Sequence, residues 1–132
     1  MTPSYGIDTS ILVRLVTGDP PESFDHCVQS LTVLVRDQGS EVFASNQVIG
    51  EAYIALQHHY GVNKSEARDG LTAVLRSGLV SPTNGYSVFD ALKAKGGCGL
   101  LDRLIADDYR RTNLVILTLD RKMASLPNTN LL

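Results

Sequence analysis

The chain has 132 residues, a formal net charge of −2 and a mean hydropathy of −0.00. That length suits one domain, residues 1–132, able to bury a core without disulfides or a structural metal, and no apolar run approaches the roughly 20 residues that cross a bilayer. Cys27 and Cys98 lie outside any C-x-x-C spacing, and Met1 is followed by no basic and apolar leader, so the expectation is a reduced, cytoplasmic protein with no membrane role.

Strand and helix signals alternate along the chain, which predicts an α/β fold with a parallel sheet and helices on its faces. A first strand covers about Ser4 to Asp8, and a helix follows to about Thr17, where Gly18 stops it. Asp19-Pro20-Pro21-Glu22 reads as an N-cap with proline at the first helical position, opening a helix from Glu22 to Arg36 that turns Cys27 to its apolar side. Glu41 to Ser45 is a short strand, and Ser45 or Asn46 caps a helix running to Tyr60. Asn63-Lys64-Ser65-Glu66 has the spacing of a capping box and opens a fourth helix. Leu79-Val80-Ser81 suits a buried strand, and a fifth helix covers Tyr86 to Lys95. Gly96-Gly97-Cys98-Gly99 reads as a hinge before a helix from Gly99 to Arg111, and the strand Leu114 to Leu119 leads to a short helical turn from Arg121 to Leu126.

Four acids occupy corresponding places in this pattern. Asp8 and Asp120 close strands, while Glu51 and Asp102 fall early in helices. In open α/β sheets ligands bind outside the carboxyl ends of the strands, so these four carboxylates are expected to converge there, with a divalent cation to offset their repulsion. At about 100° per residue, Asp107 and Asp108 point well away from Asp102 and are expected to face solvent. His26 and the pair His58-His59 lack zinc spacing, and the glycine-rich turn lacks the Gly-Lys-Ser/Thr of a phosphate loop. Residues 61–132 hold ten bases against seven acids, which makes Lys93, Lys95, Arg103, Arg110, Arg111, Arg121 and Lys122 candidate phosphate-side cations.

The blocks Tyr5-Gly6-Ile7-Asp8-Thr9-Ser10-Ile11, Asn46-Gln47-Val48-Ile49-Gly50-Glu51, Leu101-Asp102-Arg103-Leu104-Ile105-Ala106 and Leu117-Thr118-Leu119-Asp120-Arg121-Lys122, in this order, resemble the PIN-domain family. Within it they are most similar to the VapC-type toxins of type II toxin–antitoxin pairs, and the likeness covers about residues 5–127. The resemblance implies a single domain with a parallel sheet of four to five strands flanked by helices, and an endoribonuclease dependent on Mg²⁺ or Mn²⁺. It places Asp8, Asp102 and Asp120 as metal-holding acids, Glu51 as the further catalytic acid, and Thr9, Ser10 and Thr118 on the site rim. It also implies an RNA substrate, a cognate antitoxin partner and a homodimer. The chain departs from the family in Ser10, where asparagine is frequent, in Asp107-Asp108, where alanine is frequent, and in Gly97-Cys98-Gly99 before the third acid.

Phosphodiester chemistry accords with an all-oxygen acid set, because hard cations take oxygen ligands and both neutralise phosphate and activate water. A phosphoacceptor receiver domain would need an adjacent acidic pair early in the chain and a lysine ending a late strand, and neither is found. A non-catalytic binding module and a housekeeping RNA-processing nuclease remain as alternatives, the second sharing all four acids.

Overall fold

Three of the helices begin on a polar side chain that accepts a first-turn amide. The structure, a computed structural model, describes residues 2–132. Asp8 accepts from Ile11 N, Ser45 from Val48 N and Asn63 from Glu66 N, each meeting one of the amides that a helix start leaves without a partner. At the other end, Gly18 takes the left-handed conformation (φ 67°) and donates to Arg14 O, which closes the first helix where the sequence indicates. The chain divides into two compact units, Met1–Thr83 and Asn84–Leu132.

The first unit holds β1 (Tyr5–Gly6), α1 (Thr9–Thr17), α2 (Pro21–Thr32), β2 (Val42–Ala44), α3 (Asn46–Tyr60), α4 (Lys64–Leu75) and β3 (Ser81–Pro82). Its three strands are parallel in the order β1-β2-β3, with Tyr5 opposite Val42 and Phe43 opposite Ser81. Parallel neighbours need crossover connections, which α1 with α2 and α3 with α4 supply. Leu12, Ile49, Leu56 and Leu71 are completely buried, on α1, α3 and α4. On the same helices the Arg68 guanidinium lies 5.7 Å from the centre of the Tyr53 ring, within cation–π range.

The second unit holds α5 (Ser87–Lys93), α6 (Leu100–Arg111), β4 (Ile116–Thr118) and β5 (Thr129–Leu131). The pair β4-β5 is parallel, with Ile116 opposite Thr129. Ala106, Ile116 and Met123 form a buried cluster against which Leu126 packs. The α/β class and the parallel pairing are as the sequence predicts, with the five strands divided between a three-stranded and a two-stranded sheet.

Several local expectations need correction. Pro20, not Asp19, occupies the N-cap of α2 and makes no side-chain cap bond. The apolar periodicity through Leu34 and Val35 continues past Thr32 as a π-helical segment, Val33–Asp37, instead of further α-helix. Cys27 is half-buried, and the strand near residue 80 forms at Ser81–Pro82 with Val80 buried before it. No sequence signal announces β5, whose formation depends on pairing with β4. Among the described residues no helix is long and apolar enough to cross a membrane.

A close approach of α4 to α1 gives the first prediction. A Cβ built on Gly70 would stand 2.8 Å from Cγ1 of Val16, a branched side chain with little rotamer freedom inside a helix. Gly70→Ala should therefore lower stability by about 1 kcal/mol, because overpacking of about 1–3 kcal/mol outweighs a propensity gain of about 0.5–1 kcal/mol. Urea unfolding measures this, and adding Val16→Ala should reverse the sign of the glycine substitution. A stabilised Gly70→Ala single variant would show that α1 and α4 are not held at this spacing.

Candidate functional site

In the first unit two of the rim residues, Thr9 and Ser10, meet two of the acids, Asp8 and Glu51. Asp8 ends the segment after β1 in extended conformation and caps α1. Its Oδ1 accepts from the Ser10 hydroxyl at 2.5 Å and from Ile11 N at 3.3 Å. Immediately beside it, the Thr9 hydroxyl donates to Glu51 Oε1 at 2.8 Å. That bond joins the start of α1 to the second turn of α3 across 42 positions of sequence, so Asp8, Thr9, Ser10 and Glu51 form one exposed or half-exposed polar group. The Ser10 hydroxyl, and after it the Ile11 amide, hold the Asp8 carboxyl below its ordinary value, since both favour the ionised form.

The second unit carries the other two acids. Asp102 is half-buried in the first turn of α6, where unmet backbone amides favour negative charge. Asp120 is exposed after β4, and its Oδ1 accepts from Lys122 N at 2.8 Å and Met123 N at 3.2 Å. The Thr118 hydroxyl in turn accepts from Asp120 N at 3.0 Å, which ties the third rim residue to this acid. Asp8 and Asp120 are thus both turn-capping residues, Asp8 Oδ1 accepting from Ile11 N and Asp120 Oδ1 from Lys122 N and Met123 N.

The donor set is chemically uniform. Carboxylates and hydroxyls supply only hard oxygen atoms, the kind that suits Mg²⁺ or Mn²⁺. His58 and His59 are exposed in the last turn of α3, and Cys98 is buried as a free thiol. Within neither unit do three or more His, Cys, Asp or Glu side chains gather as a ready metal cluster among the described residues.

Two expectations about the flanking residues are overturned. Asp107 does not face solvent: it is 5% exposed and accepts from Asn84 Nδ2 at 2.8 Å. Asp108 is exposed as expected, yet the same amide reaches it at 2.7 Å. Helical periodicity correctly turns Asp107 away from Asp102, but the face it turns to carries the Asn84 loop. The glycine-rich turn is not a free hinge either, because Arg103 donates to Cys98 O at 3.1 Å and to Gly96 O at 2.9 Å. One candidate phosphate cation is therefore engaged in holding a loop. The sequence marks Asn84 only as the start of the loop Asn84 to Tyr86, and gives no sign of its bonds to Asp107, Asp108 and Arg111.

No family model and no curated protein matches the chain. Among solved structures, a chain in the crystal structure of VapBC2 from Rickettsia felis bound to a DNA fragment from their promoter is similar to it. The identity is 19%, the TM-score 0.46, and the match covers 98% of this chain and 97% of that one. A likeness at that level assigns no function.

The Asp8 group supports a prediction in solution. Because its folded value is lowered, Asp8 contributes stability that is present above the unfolded carboxylate value and is lost as pH falls through the folded one. Ser10→Ala removes the largest cause of the shift. Carbonyl-detected NMR titration should show the Asp8 carboxyl moving up toward 3.8 in that variant. An unchanged titration would mean that the Ser10 hydroxyl does not hold Asp8 in solution.

Proposed function

We propose that this protein is a divalent-metal-dependent endoribonuclease and the toxin of a type II toxin–antitoxin pair. The observation that carries the reading is the Thr9 to Glu51 hydrogen bond at 2.8 Å, immediately beside Asp8. It joins two of the four blocks on which the sequence likeness to PIN domains rests, and it does so through a residue that the likeness places on the site rim.

In this reading, which follows the sequence likeness, Asp8, Asp102 and Asp120 are the metal-holding acids. Mg²⁺ or Mn²⁺, when bound, would neutralise phosphate charge and lower the pKa of a coordinated water. Glu51 serves as a further ligand or as the general base, and the Thr9 hydroxyl positions it by fixing one carboxylate oxygen. The Ser10 hydroxyl favours the ionised form of Asp8, the state in which it can hold a cation. The exposure of Asp8, Glu51 and Asp120 leaves them reachable by an extended polymer such as RNA, which a closed cavity would exclude. The antitoxin and a homodimer complete the proposal, and both rest on the sequence likeness alone.

Cleavage of single-stranded RNA by the purified protein is expected with Mg²⁺ or Mn²⁺ and should stop when EDTA is added. Asp8→Asn, Asp102→Asn and Asp120→Asn should each lower the rate by about 10²-fold or more. Asn caps helices nearly as well as Asp, so Asp8→Asn should fold normally and report on charge alone. Thr9→Val should reduce kcat through loss of Glu51 positioning, with Thr9→Ser restoring most of it. Undiminished cleavage in EDTA, or a fully active Asp8→Asn protein, would overturn the proposal.

A further inference from the structure

The second unit contains a cleft of about 460 Å³ with no part in the reading above. Its polar wall is made by Asn84, Asp90, Arg103, Asp107, Arg110 and Arg111, and Ala91, Leu126 and Pro127 line it with apolar surface. Three guanidinium groups thus face two carboxylates.

The hydrogen bonds settle which of these groups are occupied. Arg103 is engaged with the carbonyls of Gly96 and Cys98. Asn84 bridges the others: its Oδ1 accepts from Arg111 Nη1 at 2.8 Å and its amide donates to Asp107 at 2.8 Å and Asp108 at 2.7 Å. Asp90 lies 3.5 Å from Lys93 in an exposed ion pair. Arg110 stands apart, because its Nη1 is enclosed and has no hydrogen-bond partner among the described residues. A guanidinium offers several donors and no acceptor, and an enclosed charged donor left unmet is costly. The cleft therefore holds an unmet donor of Arg110 beside a network that engages Arg111, the next residue in the last turn of α6.

We infer that this cleft is a binding site for an organic phosphate of about mononucleotide size, with Arg110 and Arg111 as its oxyanion ligands. Planar guanidinium forks match phosphate oxygens in a bidentate manner, and a small turn of Arg110 would bring its unmet donor onto such an oxygen. The volume exceeds what a bare phosphate fills and lies in the range of small-molecule sites, about 300–1,000 Å³. The wall of Ala91, Leu126 and Pro127 suits the less polar body of the ester.

Isothermal titration calorimetry on the full chain tests this with 5′-AMP and ribose 5-phosphate as probes and adenosine as the phosphate-free control. At least one phosphate ester should bind and adenosine should not, with affinity falling as salt is raised. Arg110→Gln and Arg111→Gln should each weaken binding about tenfold or more, and Arg110→Lys should weaken it less, keeping the charge but losing the fork. Modification of the wild-type protein by phenylglyoxal, mapped by mass spectrometry, gives a reading free of any folding defect in the variants: the ester should protect Arg110 and Arg111. No binding of either ester at millimolar concentration, equal binding of adenosine, or no protection of the two arginines would overturn the assignment.

Discussion

The hydrogen bond from the Thr9 hydroxyl to Glu51 fixes the arrangement of the polar group in the first unit. It spans 42 positions of sequence and links the cap of α1 to the second turn of α3, so the backbone geometry of one helix start sets the position of an acid on another helix. The contact is sustained from beneath by packing. Leu12 on α1 and Ile49 on α3 are both completely buried, and α1 lies along α3 as well as α4. Core burial thus orders the two helices, and the exposed ends they present carry the polar group. A carboxylate in such a place is reachable by solvent and ligand, yet its orientation is not left to side-chain freedom.

Asp8 shows how one residue serves structure and chemistry together. Its Oδ1 caps α1 and receives the Ser10 hydroxyl, and the same bonds that stabilise the helix start also favour the charged form. Asp120 caps the turn after β4 in a similar way, its Oδ1 accepting from the Lys122 and Met123 amides. In the proposed function these acids would be ligands as well as caps, and a cap that engages one oxygen does not exclude that. This also explains why reading either acid alone could not separate a cap from a site residue.

What the sequence discloses follows the range of the interactions involved. Caps at Ser45 and Asn63, and the stop at Gly18, depend on bonds within four residues, and each was legible. The strand β5 was not, because three residues with no distinctive pattern become a strand only through pairing with Ile116 to Thr118. Asp107 illustrates a subtler limit. Periodicity fixes the angle between two side chains on one helix, but the environment on the far face comes from elsewhere in the chain, here from Asn84. Asp8 and Glu51 were legible as candidates from their places at a strand end and in a helix's second turn, and Thr9 as a rim residue from the family likeness, whereas the bond from Thr9 to Glu51 depends on the packing of α1 against α3.

The central claim is that these acids hold a hard divalent cation, and direct titration of Mn²⁺ followed by electron paramagnetic resonance tests it without reliance on any substrate. Adding wild-type protein should quench the sharp six-line signal of free Mn²⁺ saturably, Mg²⁺ should restore it by competition, and Asp8→Asn and Asp102→Asn should quench it far less. A signal unaffected by the wild-type protein, or quenched equally by the Asp8→Asn variant, would contradict the account.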